Sequence, residues 1–237
     1  VDEADIRRGW PSVGRIWKNK VAILVGDYLF SNALSKMCDI DDWDALSVLS
    51  KTAKRLSRGE IMQVESALSK DLDEDGYLKM VKDKTSSLVS AATLIGAITS
   101  TKNQEQRDAL FNYGEKLGTM FQIKDDLLDI TGLEREVGKP TMFDLKKNML
   151  TLPIIHILST QDKTKRKQLI SDLKYLSKKN KKKKIRSMII EMGGVEYAEK
   201  KIAELSDSAK RDLDIFDENE SKTALISAIN FNIGRKS

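Results

Sequence analysis

The sequence predicts an all-α protein, and three of its features carry that expectation. Its 237 residues include only three prolines and 13 glycines, spread thinly between long stretches of Leu, Ile, Ala, Lys and Glu. Apolar residues recur at the three-to-four spacing of a helix face, and strand-like and helix-like segments do not alternate. No internal repeat and no dividing linker is visible, so residues 1–237 are expected to form one helical domain, within the size a single core supports.

The first helix is predicted over 12–37, closed by the polar run Asp39-Ile40-Asp41-Asp42. A second is predicted over 43–69, with Ala45, Leu49, Ala53, Leu56 and Met62 along one side. The acidic turn Asp73-Glu74-Asp75-Gly76 leads into a third over 76–99. Its residues 88–98 are apolar or small on every face, which predicts burial in a bundle or against another subunit. A fourth helix is expected over 104–131, and 132–144, with Gly138 and Pro140, reads as a loop. A helix over 145–158 follows, kinked or broken by Pro153. The last four are predicted over 165–177, 185–192, 195–216 and 221–232.

Composition narrows the function. Formal net charge is +5, much of it in the run Lys178-Lys179-Asn180-Lys181-Lys182-Lys183-Lys184. The run reads first as a solvated turn between helices, and second as a weak contact for an anionic membrane surface. It lacks the interleaved aromatics of a single-stranded nucleic-acid groove, so no nucleic-acid partner is expected. Cys38 is the only cysteine, which rules out an internal disulfide and fits a reducing, cytoplasmic setting. The longest apolar run, 91–98, is too short to span a bilayer, and no signal peptide is visible.

Two motifs are decoys. Residues 71–76 imitate an EF-hand opening, but Lys82 stands where calcium needs a bidentate Glu, so the segment reads as an acidic turn. His156 lies between Ile155 and Ile157 and reads as a packed structural residue. One His and one Cys are too few for zinc sites or for nucleophilic triads.

The chemistry concentrates in Phe121-Gln122-Ile123-Lys124-Asp125-Asp126-Leu127-Leu128-Asp129. Asp125 and Asp126 lie four and three residues before Asp129, so the three carboxylates project from one side, with Gln122 on the same side. Like charges at that spacing cost a helix about 0.2–0.5 kcal/mol per pair. The flanking Phe121, Ile123, Leu127, Leu128 and Ile130 are not what a solvated acidic face carries. Mg²⁺ accounts for both features, since it takes oxygen ligands from one or two carboxylates together with substrate phosphates. Cations suited to phosphate recur elsewhere: Arg7 and Arg8 five and six residues after Asp2, Lys84 beside Thr85, and Lys139 in a Gly-Lys-Pro loop ahead of Asp144. Together they describe a pocket for a metal-bridged diphosphate.

In this order, these pieces resemble the trans-isoprenyl diphosphate synthases of the polyprenyl synthetase family. Val25-Gly26-Asp27-Tyr28-Leu29, Gly59-Glu60, Lys84-Thr85, the FQxxDDxxD segment, Gly138-Lys139-Pro140 and Thr151-Leu152-Pro153 extend the resemblance over essentially the whole chain. It implies the isoprenoid synthase fold, a helical bundle around a central cavity, and head-to-tail condensation of an allylic diphosphate with isopentenyl diphosphate. By the same resemblance, Asp125, Asp126 and Asp129 are the second acidic motif and Asp2 the last acid of the first, all binding Mg²⁺. Arg7 matches the contact to the allylic diphosphate and Arg8 that to isopentenyl diphosphate. Lys84, Thr85 and Lys139 match contacts to the leaving diphosphate, with Phe121 and Gln122 near the reacting carbons. Lys84, Gln122 and Lys139 are the expected catalytic set, and a homodimer is expected.

The sequence departs from the family pattern twice. The leading acids of the first motif, and the family's N-terminal helices, would precede Val1, so a chain beginning there is expected to turn over little. Met149 stands where the family often has a lysine. The pattern looks more like the long-chain, octaprenyl-type enzymes, though the residues that set product length lie largely in the missing part. Two alternatives stay open at this point: a non-catalytic subunit regulating a partner synthase, and a terpene cyclase.

Overall fold

The computed structural model describes residues 6–7, 10–69, 72–132 and 142–235, and they are almost entirely helical. A two-residue antiparallel ribbon, Ile6–Arg7 against Trp10–Pro11, is the one extended pairing among them and was not predicted. Helix α1 (Val13–Asp39) starts at Ser12, whose side chain accepts from Arg15 N at 3.2 Å. It is two helical pieces joined at Lys18 (φ 68°), and it buries no residue. Trp17, Ile23, Leu24, Tyr28 and Leu29 are all more than half exposed.

Helix α2 (Trp43–Ser69) corrects the expected face. The buried residues are Ala45, Thr52, Gly59 and Ser66, a line of small side chains seven apart, while Leu49 and Leu56 are only half-buried. Small residues let a neighbouring backbone come close, which large apolar ones prevent. The neighbour is α3 (Glu74–Val81) and its continuation, capped by Asp73 accepting from Gly76 N at 2.8 Å. The acidic turn is therefore a helix cap.

One helix was predicted over 76–99, but residues Lys82–Ser86 form a π turn before α4 (Ser87–Ser100). Such turns insert one residue into the helix and often mark functional positions. Helix α4, expected to be buried in a bundle or against another subunit, is buried on one side within this chain. Ala91, Ala97 and Ile98 are buried, but Leu88 is 55% exposed, and Ala92 and Gly96 are exposed one and two turns on.

Helix α5 (Gln104–Thr131) is the axis of the structure, packed by α4, the π turn and the two C-terminal helices. Its Tyr113, Met120, Ile123 and Leu127 anchor one apolar cluster, shared with Tyr77, Leu152, Ile155, Ile202 and Leu213. Ile130 at its end belongs to a second cluster, built on α6 (Phe143–Lys146), α7 (Leu152–Ser159), α8 (Lys163–Lys178) and α9 (Lys182–Glu191). The helix predicted over 145–158 is broken: Asn148 adopts φ 59°, and α7 begins afresh with Pro153 in its first turn. A proline is tolerated there because that N–H has no helical partner. Helices α10 (Gly194–Asp212) and α11 (Glu220–Gly234) close the bundle along α5. His156 stacks flat on Tyr197, ring centroids 3.9 Å apart, as a packed residue. Among the described residues no helix is long and apolar enough to cross a membrane.

Candidate active site

The π turn sets Lys84 and Thr85 against α5, and two glycines permit the approach. A Cβ on Gly59 of α2 would stand 2.3 Å from Lys84 N, and one on Gly118 of α5 would stand 2.5 Å from Ser86 Cα. Both neighbours are backbone and cannot step aside. Gly59→Ala should therefore destabilise the fold by about 1–3 kcal/mol, read as a lowered urea midpoint in chemical denaturation. An unchanged midpoint would mean that the two helices do not meet there.

A buried ion cluster holds the turn from the other side. Asp83, 2% exposed, receives Arg55 Nε at 3.0 Å and Arg58 Nε at 2.5 Å. Arg55 also donates to the Lys82 carbonyl at 3.1 Å and to Glu115 of α5 at 2.9 Å. Burial alone would raise the Asp83 pKa, but the hydrogen bonds and charges of Arg58 and Arg55 outweigh it and hold the carboxyl below its ordinary value.

Beside this cluster, Lys84 Nζ meets Glu60 at 2.9 Å and Gln63 Oε1 at 2.5 Å, so its ammonium is aimed along α2. Gln63 also donates to Met149 Sδ at 3.0 Å. Thr85 Oγ1 donates to Gln122 Oε1 at 2.8 Å, and Gln122 Nε2 donates to Asp126 Oδ1 at 2.9 Å. Tyr77 OH donates to the other oxygen of Asp126 at 2.6 Å. Thr85, Gln122, Asp126 and Tyr77 thus form one continuous relay from the π turn across α5 to α3.

The three carboxylates share a helix side but not a task. Asp125 pairs with Arg235 at the end of α11, and that guanidinium lies 4.2 Å over the Phe121 ring. Asp126 is buried in the relay. Asp129 accepts Phe143 N at 3.1 Å and Asp144 N at 3.3 Å, and so holds the start of α6. Among the described residues no three His, Cys, Asp or Glu side chains converge where they could hold a metal ion. Burial first, and then the charge of Asp144, push the Asp126 carboxyl up to about 8. Burial first, with Asp126 second, also raises the Tyr77 phenol well above its ordinary value.

Of the sequence-predicted residues, Lys84, Thr85, Phe121, Gln122, Asp125, Asp126 and Asp129 are described, and the structure places them around the π turn and the C-terminal half of α5. Asp2, Arg8, Lys139 and the Arg7 side chain lie outside the described residues. Four partners were missed: Tyr77, Glu60, Gln63 and Arg235. Only the Gly59-Glu60 pair had a signal in the sequence; the rest come from other helices, at separations of 21 to 110 residues from the groups they meet.

The family described as Polyprenyl synthetase matches residues 1–192. The chain belongs to the polyprenyl synthetase family. Heptaprenyl diphosphate synthase component 2 of Geobacillus stearothermophilus is 37% identical over 161 residues, covering 68% of this chain and 50% of that protein. Solanesyl diphosphate synthase 1 of Arabidopsis thaliana, a chloroplast protein, is 30% identical over 235 residues, covering 99% of this chain and 57% of that one. The chain spans about half the length of the curated relatives it matches. Among solved structures, a decaprenyl diphosphate synthase from Rhodobacter capsulatus superposes with TM-score 0.88 at 30% identity, over all of this chain and 73% of that one. A Caulobacter crescentus polyprenyl synthase complexed with calcium and isoprenyl diphosphate gives 0.89 at 28%, over all of this chain and 72% of that one. For this polyprenyl synthetase family member, the all-α fold expected from the sequence is thus also that of its structural neighbours.

Proposed function

We propose that the protein is a prenyltransferase that elongates an allylic diphosphate with isopentenyl diphosphate, head to tail, and releases diphosphate. The observation that carries this reading is the relay Thr85–Gln122–Asp126, set beside Lys84 and buried in a chain of the polyprenyl synthetase family. In the reaction the allylic C–O bond breaks with its pair left on the diphosphate, the isopentenyl double bond supplies the pair for the new C–C bond, and the released diphosphate takes the proton whose loss restores a double bond. On the family pattern Lys84 and Thr85 contact the leaving diphosphate, where charge grows as it departs; here Lys84 is held by Glu60 and Gln63, and the Thr85 hydroxyl is given to Gln122. Lys139, Arg7 and Arg8 are assigned to the same diphosphates on the family pattern. Gln122 is fixed by its two hydrogen bonds, and Phe121, 39% exposed, lends an aromatic edge beside the acids.

The acids fit a divalent cation. Burial first, and then the charges of Asp144 and Asp125, push Asp126 toward neutrality, and Asp125 already pairs with a cation, the Arg235 guanidinium. Hard oxygen donors suit Mg²⁺, which Asp125 and Asp126 would hold, with Asp2 assigned to the same ion on the family pattern. Asp129 has both oxygens engaged by backbone N–H groups and would act by fixing α6. When bound, the cation neutralises charge developing on the diphosphate.

Further parts of this reading are that the product is long-chain and that the protein works in the cytoplasm. A second copy is assigned to the apolar surfaces left open on α1 and α4. A regulatory subunit fits less well, because it has no need of a buried carboxylate that costs stability. A cyclase needs no second diphosphate site, which Arg8 supplies on the family pattern.

In protein carrying the complete first acidic motif, labelled isopentenyl diphosphate should be incorporated only with a divalent cation, and Asp125→Ala should abolish that incorporation. Near-normal turnover of the variant would remove the assignment.

A further inference from the structure

Charge is divided unevenly along this chain. Residues 162–191 hold twelve Lys and Arg against three Asp and Glu, a net of +9, whereas the whole chain carries only +5. Everything outside α8, α9 and their connection is therefore net −4. A basic excess confined to one helical hairpin is a docking feature more than a property of the protein as a whole.

The hairpin is amphipathic. Leu169, Leu173, Leu176, Ile185 and Ile189 are buried in the second apolar cluster. On the opposite side Lys167, Lys178, Lys179, Lys181, Lys183 and Lys184 are exposed, and among the described residues none of them has a carboxylate partner. Tyr175, 61% exposed, stands three and four residues before Lys178 and Lys179 and eight after Lys167, so it lies within the basic face. The connection is tightly built: Asn180 takes φ 53°, and Lys181 N donates to Leu176 O at 2.9 Å. The lysines on either side of it are thus presented on an ordered turn.

The hairpin is also tied to the candidate active site. Arg186 of α9 donates to the Ile130 carbonyl at 2.8 Å and to the Gly132 carbonyl at 2.7 Å, which fastens it to the end of α5 just beyond Asp129. Whatever the basic face rests on is held at a fixed distance from the acids.

We propose that the α8–α9 hairpin docks the protein on an anionic lipid bilayer, with the lysines among the headgroups and Tyr175 at the interface. A lone Tyr among lysines suits that boundary, where a ring keeps its apolar body in the lipid and its hydroxyl in water. Nucleic acid is the poorer fit, because Tyr175 is the only aromatic residue between 162 and 191 and successive bases need successive platforms. The inference does not depend on the activity proposed above, although a lipid-soluble product would be released next to the phase that accepts it.

The test is cosedimentation of the purified chain with phosphatidylglycerol-containing vesicles and with pure phosphatidylcholine vesicles. The protein should pellet with the first and not the second, and should be released as salt shortens the screening length from about 10 Å to about 3 Å. Replacing Lys178, Lys179, Lys183 and Lys184 by Gln should weaken partitioning by on the order of 100-fold or more, with the circular dichroism melt unchanged. Tyr175→Ala should weaken it several-fold and leave the salt dependence alone. Three outcomes would overturn the proposal: no binding to the anionic vesicles at low salt, equal binding by the four-lysine variant, or displacement from vesicles by duplex DNA at matched phosphate. Displacement by inorganic phosphate at a like concentration would assign the face to a free anion instead, and so would also count against it.

Discussion

In protein carrying the complete first acidic motif, Asp126→Asn should slow the proposed prenyl transfer by about 10²–10³, the usual cost of one electrostatic contact that strengthens in the transition state. In the metal-free protein the same change should raise thermal stability at pH 8 and above. The sign follows from burial and the charge of Asp144, which lift the carboxyl from 3.8 to about 8 in the folded state. A group raised in this way binds its proton more tightly when folded. Its contribution is therefore complete below pH 3.8 and is lost as pH rises through about 8. Each pH unit in that window removes about 1.4 kcal/mol, so ionising Asp126 costs several kcal/mol in all. Asparagine cannot ionise, and it keeps groups for both Tyr77 and Gln122. Its melting temperature should therefore decline less between pH 4 and 8, while matching the parent near pH 4. Added Mg²⁺ should stabilise the parent at pH 8 and the variant little. Parallel pH profiles for the two proteins would show that Asp126 does not carry the unfavourable charge.

Asp83→Ala should cost about 3 kcal/mol, at the lower end for breaking a buried ion pair by removing one partner, since Arg58 is half exposed and regains water. The carboxyl is held below its ordinary value of 3.8, so its contribution is present above that value and lost as pH falls through the lower, folded one. The parent should thus lose stability in acid more steeply than the variant, and their denaturant midpoints should converge below pH 4. Lys84 should also loosen, because Asp83 fixes the π turn on which it sits. Hydrogen exchange over residues 82–86 would report that loosening. A midpoint unchanged at pH 7 would mean that the cluster is a solvated surface pair.

Much of the fold was legible in the sequence because helix formation is local. The bounds 43–69 and 104–131 match the helices found, which the structure shows to start at Asp42 and Asn103, accepting from Ala45 N and Gln106 N. The break in 145–158 was half read: Pro153 announced a discontinuity, but the positive φ at Asn148 that ends the preceding turn had no clear signal. The π turn at 82–86 was missed, since one extra residue in a helix leaves no mark in apolar spacing. The packing face of α2 was misread for a related reason. Periodicity finds large apolar residues, whereas this seam is made by Ala45, Thr52, Gly59 and Ser66, chosen for being small.

By itself the sequence determined which residue types lie on which helix: three acids and a glutamine within eight residues of α5, and a lysine and threonine side by side ahead of α4. It also fixed the uneven charge that sets 162–191 apart. Only the tertiary structure decided what each of those groups meets. It gave Asp125 to an arginine 110 residues away, buried Asp126 under Tyr77, and spent Asp129 on the start of α6. The reason is physical: a helix sets the direction of a side chain to within a quadrant, but a carboxylate's charge state and partner depend on dielectric and on atoms within about 3 Å, and those arrive from other helices.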